Sequence, residues 1–453
     1  MLVFNNLFIN HNDHSRGEHY IPFLFNLISF RRRVLMPNEV TIVRSFIDKE
    51  QKLELFNEQE IEFYNQLINE KQIFNEEAKI HIDNMLYNHY NELQNSSIEN
   101  ELTFAIQLTK DCNMSCSYCY QKKLTAKNSD IISTEMIDNI LLFIEMSAEK
   151  INKKILPSKI KFTGGEPLLN DETVRIINYA ANKWPDAKLF IQTNGINIIK
   201  YLHSLPLEKI DCFSVSLDGI PETHMNRRFS TKTDSAVYSA IIEGIKHLLK
   251  MGIKVGISSI LDKSNYMEIP IFKNFLNSEG LDNPLLEMSY GVVLDYTNEL
   301  GIDPEFNNKD DVLKISKFAN RVLFPSLGLL PMMLKREHKT FKEPEFWRCK
   351  VRKFEALYFS TNGNVYTCDC LDENKGVIGS YHPNLTFNDE YVNNLINANP
   401  IFTNEKCKYC EYKYVCLGGC PLMAEIQNKD IICGAFGDKD IIDNFSYPYR
   451  PKH

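Results

Sequence analysis

The residues with the clearest chemical potential are the chain's 12 cysteines, which are unevenly distributed. Cys112, Cys116 and Cys119 form a CxxxCxxC pattern within the sequence DCNMSCSYCY. Thiolates are the usual ligands of iron–sulfur clusters, and a closed cluster takes four of them. Three thiolates leave one iron with an open position, at which a ligand can bind and react. The same spacing also fits a zinc knuckle or free thiols, so spacing alone leaves all three readings open.

A second pattern of chemical interest is Gly164-Gly165-Glu166-Pro167. It follows a predicted strand, as the three cysteines also do. Glycines let the backbone approach a ligand closely, and the carboxylate of Glu166 can bind an amino group. Because parallel strands end on the same rim of a sheet, we expect the two patterns to lie close together.

Eight further cysteines lie between Cys349 and Cys433, four of them in the block CKYCEYKYVCLGGC. Little apolar periodicity accompanies them, so this segment cannot bury a large core and is expected to need metal staples. Four thiolates also suit structural zinc, and the spacing does not separate zinc from iron. The group comprises Cys349, Cys368, Cys370, Cys407, Cys410, Cys416, Cys420 and Cys433.

The elements that must position these residues are alternating strands and helices. Amphipathic helices are predicted between most of the strands, for example over 134–149 and 239–250. This order predicts a parallel sheet with right-handed crossovers and a site at the carboxyl ends of its strands. Cys212 falls within a strand, where a small buried apolar role is expected. The predicted strands are 103–108, 159–162, 188–192, 210–216, 254–260 and 285–291.

The first hundred residues predict a small α+β domain of winged-helix-like shape. The apolar stretch at 20–30 is expected to be a buried strand rather than a signal peptide. Strands are predicted at 34–36, 40–43 and 52–55, with a turn at Pro37-Asn38. Asn57 and Glu60 then form a capping-box pattern at the start of a helix. A second helix is predicted over 82–93, and a polar linker over 94–100.

Composition narrows the classes of function. The net charge of −8 argues against nucleic-acid binding, and no apolar run is long enough to span a bilayer. No export signal is recognised, so the chain is expected in the cytoplasm. In that compartment disulfides are rare, which favours metal ligation by the cysteines.

Residues 101–310 resemble the core of the radical S-adenosylmethionine (SAM) superfamily. The resemblance rests on CxxxCxxC, on the GGEP turn, and on the segment SLDGIPETHMNRR. It implies a partial (β/α)6 TIM-like barrel. It also implies that Cys112, Cys116 and Cys119 hold a 4Fe-4S cluster whose fourth iron chelates the amine and carboxylate of SAM.

The same resemblance implies roles for the SAM-contacting residues. Glu166 would contact the SAM amine, and the backbone of Tyr118 would meet the adenine. Ser216 would bind the ribose and Arg228 the SAM carboxylate, the alternatives being a strand-end cap and a surface cation. Asp218 and His224 belong to the same segment and are expected to shape its loop. The expected contacts are Tyr118, Gly164, Gly165, Glu166, Ser216 and Arg228.

The C-terminal cysteines resemble the seven-cysteine pattern of SPASM domains, which accompany radical SAM cores that modify peptides and proteins. The resemblance implies two auxiliary clusters. Either Cys370 completes the inner cluster or one of its irons stays open. Asp369 matches a proposed general base of sulfatase-maturating relatives, and a solvated or ion-paired aspartate is the alternative. The outer ligands would be Cys407, Cys410, Cys416 and Cys433, and the inner ligands Cys349, Cys368 and Cys420.

The expected domains are a winged-helix-like peptide-recognition domain (1–100), a radical SAM barrel (101–310), a helical linker (311–348) and a SPASM domain (349–453). The expected activity is that of an anaerobic oxidoreductase acting on a ribosomally made (RiPP) peptide with a leader. It would cleave SAM reductively with a flavodoxin- or ferredoxin-type electron donor. The 5′-deoxyadenosyl radical would then abstract hydrogen to form a thioether or C–C crosslink. Alternatives are formylglycine formation and a non-catalytic, metal-stapled peptide-binding or electron-transfer protein.

Overall fold

The computed structural model describes most of the chain, with gaps concentrated near the N-terminus, between 293 and 350, and near the C-terminus. The described residues are 6–9, 23–26, 32–49, 52–95, 100–119, 121, 131–151, 155–230, 234–262, 264–292, 322–323, 351, 354, 356–368, 375–397, 400–410, 413, 418, 421–426 and 428–431.

The N-terminal part is a three-stranded antiparallel sheet followed by three helices. The strands are β1 (Asn6–Ile9), β2 (Phe23–Asn26) and β3 (Arg32–Val34), with β2 in the middle. The helices are α1 (Pro37–Asp48), α2 (Glu58–Asn69) and α3 (Glu76–Asn95). A small core of its own joins the sheet to α1 and α2, including Leu24, Val43, Phe46, Phe63 and Leu67.

Two predicted strands of this part are wrong. The segment 40–43 lies within α1, because Pro37 begins that helix rather than a turn, as its fixed φ favours at a first helical position. The segment 52–55 contains a 3₁₀ turn, Leu53–Leu55. The predicted capping box is confirmed: the backbone N–H of Glu60 donates to Asn57 Oδ1 at 2.9 Å, and Asn57 N–H donates to Glu60 Oε2 at 2.7 Å.

The central part alternates strands and helices as predicted. Six strands, β4, β6, β7, β8, β10 and β11, lie side by side and parallel in chain order. A short antiparallel pair, β5 with β9, lies outside this sheet. The elements are β4 (Asn100–Gln107), β5 (Met114–Cys116), α4 (Thr134–Lys150), β6 (Ile155–Thr163), α5 (Asp171–Lys183), β7 (Lys188–Thr193), α6 (Ile198–Tyr201), β8 (Ile210–Ser216), α7 (Pro221–Arg227), β9 (Arg228–Ser230), α8 (Asp234–Lys250), β10 (Lys254–Leu261), α9 (Ile269–Ser278), β11 (Leu286–Val292) and β12 (Val322–Leu323).

The main core lies between this sheet and its helices. Phe104 of β4 packs edge-on against Trp184 and Phe359, with ring centroids 5.2 and 5.8 Å apart. Side-chain caps start two of the helices, with Ser133 before α4 and Asn170 before α5. Of the predicted helical linker, the structure describes 322–323, which pair with β11 as β12.

The C-terminal part continues the parallel sheet, which the sequence analysis did not predict. Its first strand lies parallel to β4 on the side away from β6, and three antiparallel strands follow. The elements are β13 (Ala356–Phe359), β14 (Asn364–Tyr366), β15 (Val377–Ser380), β16 (Thr386–Phe387), α10 (Asp389–Asn397), α11 (Pro400–Thr403), α12 (Glu405–Lys408) and α13 (Pro421–Ile426).

Specific contacts join the three parts of the chain. Gln107 at the end of β4 accepts hydrogen bonds from Ser360 Oγ at 2.8 Å and from Thr361 N–H at 3.2 Å. The N-terminal helix α3 contacts the C-terminal part through an ion pair between Asp83 and Lys413 at 2.9 Å. No helix in the part of the chain that the structure describes is long and apolar enough to cross a bilayer.

Candidate active site

The cysteine pattern and the GGEP turn lie in contact at the carboxyl end of the parallel sheet. Gly165 N–H donates to the carbonyl oxygen of Thr109 at 2.7 Å, and Glu166 N–H donates to that of Asp111 at 2.8 Å. The loop after β6 is therefore hydrogen-bonded to the segment that leads from β4 to Cys112. This is the juxtaposition expected when neighbouring parallel strands end on one rim.

The two glycines are required by this backbone contact. Gly164 has a φ of +143°, a conformation that residues with a Cβ rarely adopt. A Cβ on Gly165 would lie 2.6 Å from the carbonyl oxygen of Lys110 and closer still to that of Asp111. The turn therefore needs glycine in order to meet the cysteine loop, a reason that the sequence analysis did not identify.

A two-stranded ribbon holds the cysteine loop. β5 carries Cys116 and pairs antiparallel with β9, so that Cys116 lies opposite Arg228. Beyond the ribbon, Ser117 N–H donates to the carbonyl oxygen of Arg227 at 2.9 Å, and Cys119 N–H donates to that of Cys116 at 3.3 Å. The loop is thereby fixed to the segment that joins β8 to α8.

Hydrogen-bond donors face two of the three sulfurs. Cys112 Sγ accepts from the backbone N–H of Met114 at 3.4 Å and from Asn194 Nδ2 at 3.8 Å. Cys116 Sγ accepts from Arg228 Nη1 at 3.7 Å. Donors of this kind stabilise thiolates and the sulfurs of iron–sulfur clusters.

The charge environment of Cys112 favours a cationic partner. Desolvation and the nearby Glu166 carboxylate raise the pKa of the Cys112 thiol to about 12. Metal binding by this sulfur would have to offset the raised pKa, because a ligating cysteine is deprotonated. Within the described residues, no three His, Cys, Asp or Glu side chains close around a point as ligands of a single ion do. A cluster of several irons needs no such common point, since each thiolate binds a different iron.

Glu166 is 1% exposed and its carboxylate is held by three protein donors. Oε1 accepts from Leu168 N–H at 2.9 Å and from Thr193 Oγ1 at 2.5 Å, and Oε2 accepts from Asn194 N–H at 2.7 Å. Desolvation raises the pKa of Glu166, although these hydrogen bonds oppose the shift. Oε2 makes one hydrogen bond here, which leaves it capacity for another donor.

Thr193 and Asn194 are site residues that the sequence analysis missed. Asn194 also donates to Asn113 Oδ1 at 2.6 Å, so it joins the Glu166 carboxylate to the cysteine loop. The available signal was the polar sequence TNG, which begins with the last residue of β7, a third strand end on the same rim.

Asp218 and Arg228 form a buried ion pair beside the cysteine loop. Arg228 Nε and Nη2 donate to the two carboxylate oxygens of Asp218 at 3.0 and 3.3 Å. Burial opposes ionisation of both groups, but their mutual attraction lowers the pKa of Asp218 and raises that of Arg228. The alternative of a surface cation at Arg228 is thereby wrong. The Tyr118 hydroxyl donates to the same carboxylate.

Three further residues of interest lie in β8 and α7. Ser216 ends β8 and is half-buried on the rim. His224 Nδ1 accepts from the backbone N–H of Asp218 at 3.2 Å. Desolvation and the Arg228 charge lower the pKa of His224 to about 3, so its ring is neutral. Cys212 lies in β8 as predicted but is half-buried, with its Sγ donating to the carbonyl oxygen of Phe213 at 3.4 Å.

The structure describes three of the C-terminal cysteines. Cys368 follows β14 and is half-buried beside a small apolar cluster that includes Leu395. Cys407 lies in α12, and Cys410 N–H donates to its carbonyl oxygen at 3.2 Å, so both belong to one tight turn. The other predicted residues lie outside the described residues: Cys349, Asp369, Cys370, Cys416, Cys420 and Cys433.

The central, parallel-sheet part of the chain matches one protein-family model, and the chain aligns in part with several curated proteins. Residues 106–276 match the model of the Radical SAM superfamily. An uncharacterized protein of Methanocaldococcus jannaschii is 22% identical over 271 residues, which are 59% of this chain and 84% of that protein. GTP 3′,8-cyclase of Brucella canis is 27% identical over 219 residues, 47% of this chain and 57% of the cyclase. The chain thus spans little more than half of the cyclase.

Solved structures resemble a larger share of the chain. Streptococcus suis SuiB bound to S-adenosylmethionine has a TM-score of 0.54 at 16% identity, over 95% of this chain and 97% of SuiB. anSMEcpe with bound AdoMet and a peptide has a TM-score of 0.54 at 17% identity, over 76% of this chain and 96% of that protein. SuiB bound to precursor peptide SuiA has a TM-score of 0.50 at 15% identity, over 95% and 98%. These likenesses concern the fold, and the match to the Radical SAM superfamily model covers residues 106–276 of this chain.

Proposed function

We propose that the chain is a radical SAM enzyme in which Cys112, Cys116 and Cys119 hold a 4Fe-4S cluster. The observation that carries the proposal is the direct backbone contact between the cysteine loop and the Gly165-Glu166 turn on one rim. When bound, the cluster supplies the electron that cleaves SAM to methionine and the 5′-deoxyadenosyl radical. The protein's own part is to bind, orient and shield these groups.

Different residues on the rim would bind the cluster sulfurs and the parts of SAM. Asn194 and Arg228 donate to the cysteine sulfurs, and the positive charge of Arg228 balances negative charge there. Glu166, held rigidly by three donors, offers Oε2 to the amine of SAM. Ser216 at the end of β8 would bind the ribose, and the buried positive charge of Arg228 would attract the SAM carboxylate.

Tyr118 contributes through its backbone. Its side chain is engaged with the Asp218 carboxylate, and its ring lies under the guanidinium groups of Arg227 and Arg228 at 4.9 and 5.3 Å. Because the side chain is occupied, the peptide groups of the Tyr118 segment are the part of this residue that can meet the adenine.

A ribosomally made peptide is the proposed substrate. In the described residues β3 pairs with β2 along one side, and an extended leader segment could add to the other. SuiB, whose structure with a precursor peptide aligns over 95% of this chain, supports a peptide substrate. The product would be a thioether or C–C crosslink, and a flavodoxin- or ferredoxin-type protein would supply electrons.

The C-terminal cysteines would hold the auxiliary clusters of a SPASM domain. Cys368 lies beside a small apolar cluster, and Cys407 and Cys410 belong to one tight turn. Iron and sulfide analysis of anaerobically reconstituted protein tests this: three clusters are expected. Loss of one cluster is expected when Cys407 and Cys410 are both replaced by Ala. Zinc in place of iron would contradict the proposal.

Formylglycine formation is the second candidate, supported by the fold of anSMEcpe and by Asp369 as a possible base. Coverage favours the first candidate, since anSMEcpe aligns with 76% of this chain and SuiB with 95%. The fold of SuiB thus matches a larger share of this chain.

Co-expression with a short peptide encoded beside this chain's gene distinguishes the two candidates. Crosslinking removes two hydrogen atoms per bond and leaves no aldehyde, whereas formylglycine reacts with a hydrazide probe. Mass spectrometry of the purified peptide reads both outcomes. A hydrazide-reactive product would show that the chain forms formylglycine and not a crosslink. An unmodified peptide would show that this peptide is not the substrate.

A further inference from the structure

We infer that Asp218 is a positioning residue that sets the orientation of Arg228 towards Cys116 and holds the Tyr118 segment of the cysteine loop in place. The inference rests on the proposed function, because it concerns the environment of the cluster that Cys116 would bind.

The Asp218 side chain is fully buried and is contacted from several elements. The backbone N–H of Ile260, in β10, donates to Oδ1 at 3.0 Å. The Tyr118 hydroxyl, from the cysteine loop, donates to Oδ2. Arg227 Nε, at the end of α7, lies 3.5 Å from Oδ2. A buried carboxylate with this many partners from separate elements ties them to one another.

The same carboxylate fixes the rotation of the Arg228 guanidinium. Nε and Nη2 are directed at Asp218, and the guanidinium is planar, so the direction of Nη1 is then determined. Nη1 is the nitrogen that lies 3.7 Å from Cys116 Sγ. Asp218 thus controls which donor reaches the sulfur without touching the sulfur itself.

The charge of Asp218 also offsets that of Arg228 beside the sulfur. Replacing the carboxylate by an amide removes one negative charge from this buried site. Reduction adds negative charge to a cluster, so an uncompensated cation nearby stabilises the reduced form. The reduction potential of the cluster is therefore expected to become more positive in Asp218→Asn.

The test is an electron paramagnetic resonance titration of reconstituted full-length protein in Asp218→Asn, with Asp211→Asn as the matched control. Asp211 lies at the other end of β8, where its carboxylate is 3.7 Å from Lys188. Asp218→Asn is expected to shift the potential positively and to change the spectrum. Asp211→Asn is expected to leave both unchanged. The double variant Asp218→Asn with Arg228→Gln is expected to bring the potential back towards the wild-type value.

An unchanged potential and spectrum in Asp218→Asn would overturn the inference, as would a double variant no different from the single one. If Asp218→Asn does not assemble a cluster, Tyr118→Phe serves instead, because it removes one hydrogen bond and keeps the ring. A wild-type spectrum in Tyr118→Phe would then count against the inference. Failure of the proposed function looks different, since wild-type protein itself would then assemble no SAM-responsive cluster.

Discussion

Gly165 shows how single residues of this site are set by neighbouring backbone. The turn and the cysteine loop approach so closely that a side chain at this position would overlap carbonyl oxygens of residues 110 and 111. Glu166, one residue on, is buried and bonded to Thr193 and Asn194. The sequence motif could be recognised from residue types alone, but these partners could not, since they come from a strand end about thirty residues away.

Replacing Gly165 by Ala is expected to push the turn away from the cysteine loop. The added methyl group would overlap backbone atoms, which cannot move unless the whole loop shifts. We therefore expect the free energy of unfolding to fall by about 1–3 kcal/mol or more. Urea unfolding of cluster-free protein measures this cost, and iron retention after reconstitution should fall in parallel.

Gly256→Ala is the matched control for this change. A Cβ there would lie 3.9 Å from Cys212 Sγ, an ordinary contact within β10. Stability and iron retention close to wild type are expected. Equal effects from the two substitutions would show that crowding at the turn is not the reason for its glycine.

At the scale of elements, the alternating pattern of strands and helices was predictable and the local exceptions were not. Six parallel strands follow from apolar runs and from their order in the chain. Helix α1 was missed because its proline looked like a turn signal, although proline also begins helices. Strand β13 was missed because its pairing with β4 joins residues about 250 positions apart, which no local pattern encodes.

Glu60 links two helices of the N-terminal part and predicts a dependence of their stability on pH. Its carboxylate accepts from Ser45 of α1 and, at 2.7 Å, from Nζ of Lys49, which directly follows that helix. These hydrogen bonds lower the pKa of Glu60 from 4.5 to about 2. A lowered carboxyl pKa stabilises the fold above the unfolded value, and the contribution is lost as pH falls from about 4.5 to about 2.

Glu60→Gln is therefore expected to destabilise the packing of α1 on α2 by about 1–3 kcal/mol at neutral pH. Hydrogen exchange of the full-length chain, read on peptides from the two helices, measures the loss. Glu62→Gln, an exposed change in the same helix, is the control and should exchange like wild type. Equal protection in both variants would contradict the role of Glu60.

At the scale of the whole molecule, contacts between distant parts of the chain place the cysteine-rich parts relative to the barrel. Gln107 ties the end of β4 to the start of the β13–β14 connection. Asp83 and Tyr87 of α3 contact Lys413 and Phe402, with the two rings edge-on at 5.3 Å. None of these long-range pairs was visible in the sequence, because each joins residues hundreds of positions apart.

Asp83→Asn is expected to loosen the docking of α3 on the C-terminal part. The side chain of Lys413 is 8% exposed, so removing the negative partner leaves a buried cation with less compensation. Faster hydrogen exchange is expected in α3 and around 400–413. Glu77→Gln, an exposed change on the same helix, is the control and should leave hydrogen exchange unchanged. An identical exchange pattern in the two variants would show that the Asp83–Lys413 ion pair does not hold α3 against the C-terminal part.

The central claim is that three thiols on the rim of this sheet hold a cluster that cleaves SAM. The most direct measurement is formation of 5′-deoxyadenosine by anaerobically reconstituted, dithionite-reduced protein supplied with SAM. We expect product from the wild-type chain and none above background when Cys112, Cys116 and Cys119 are all replaced by Ala. Equal product from that triple variant, or none from a wild-type chain with a fully reduced cluster, would contradict it.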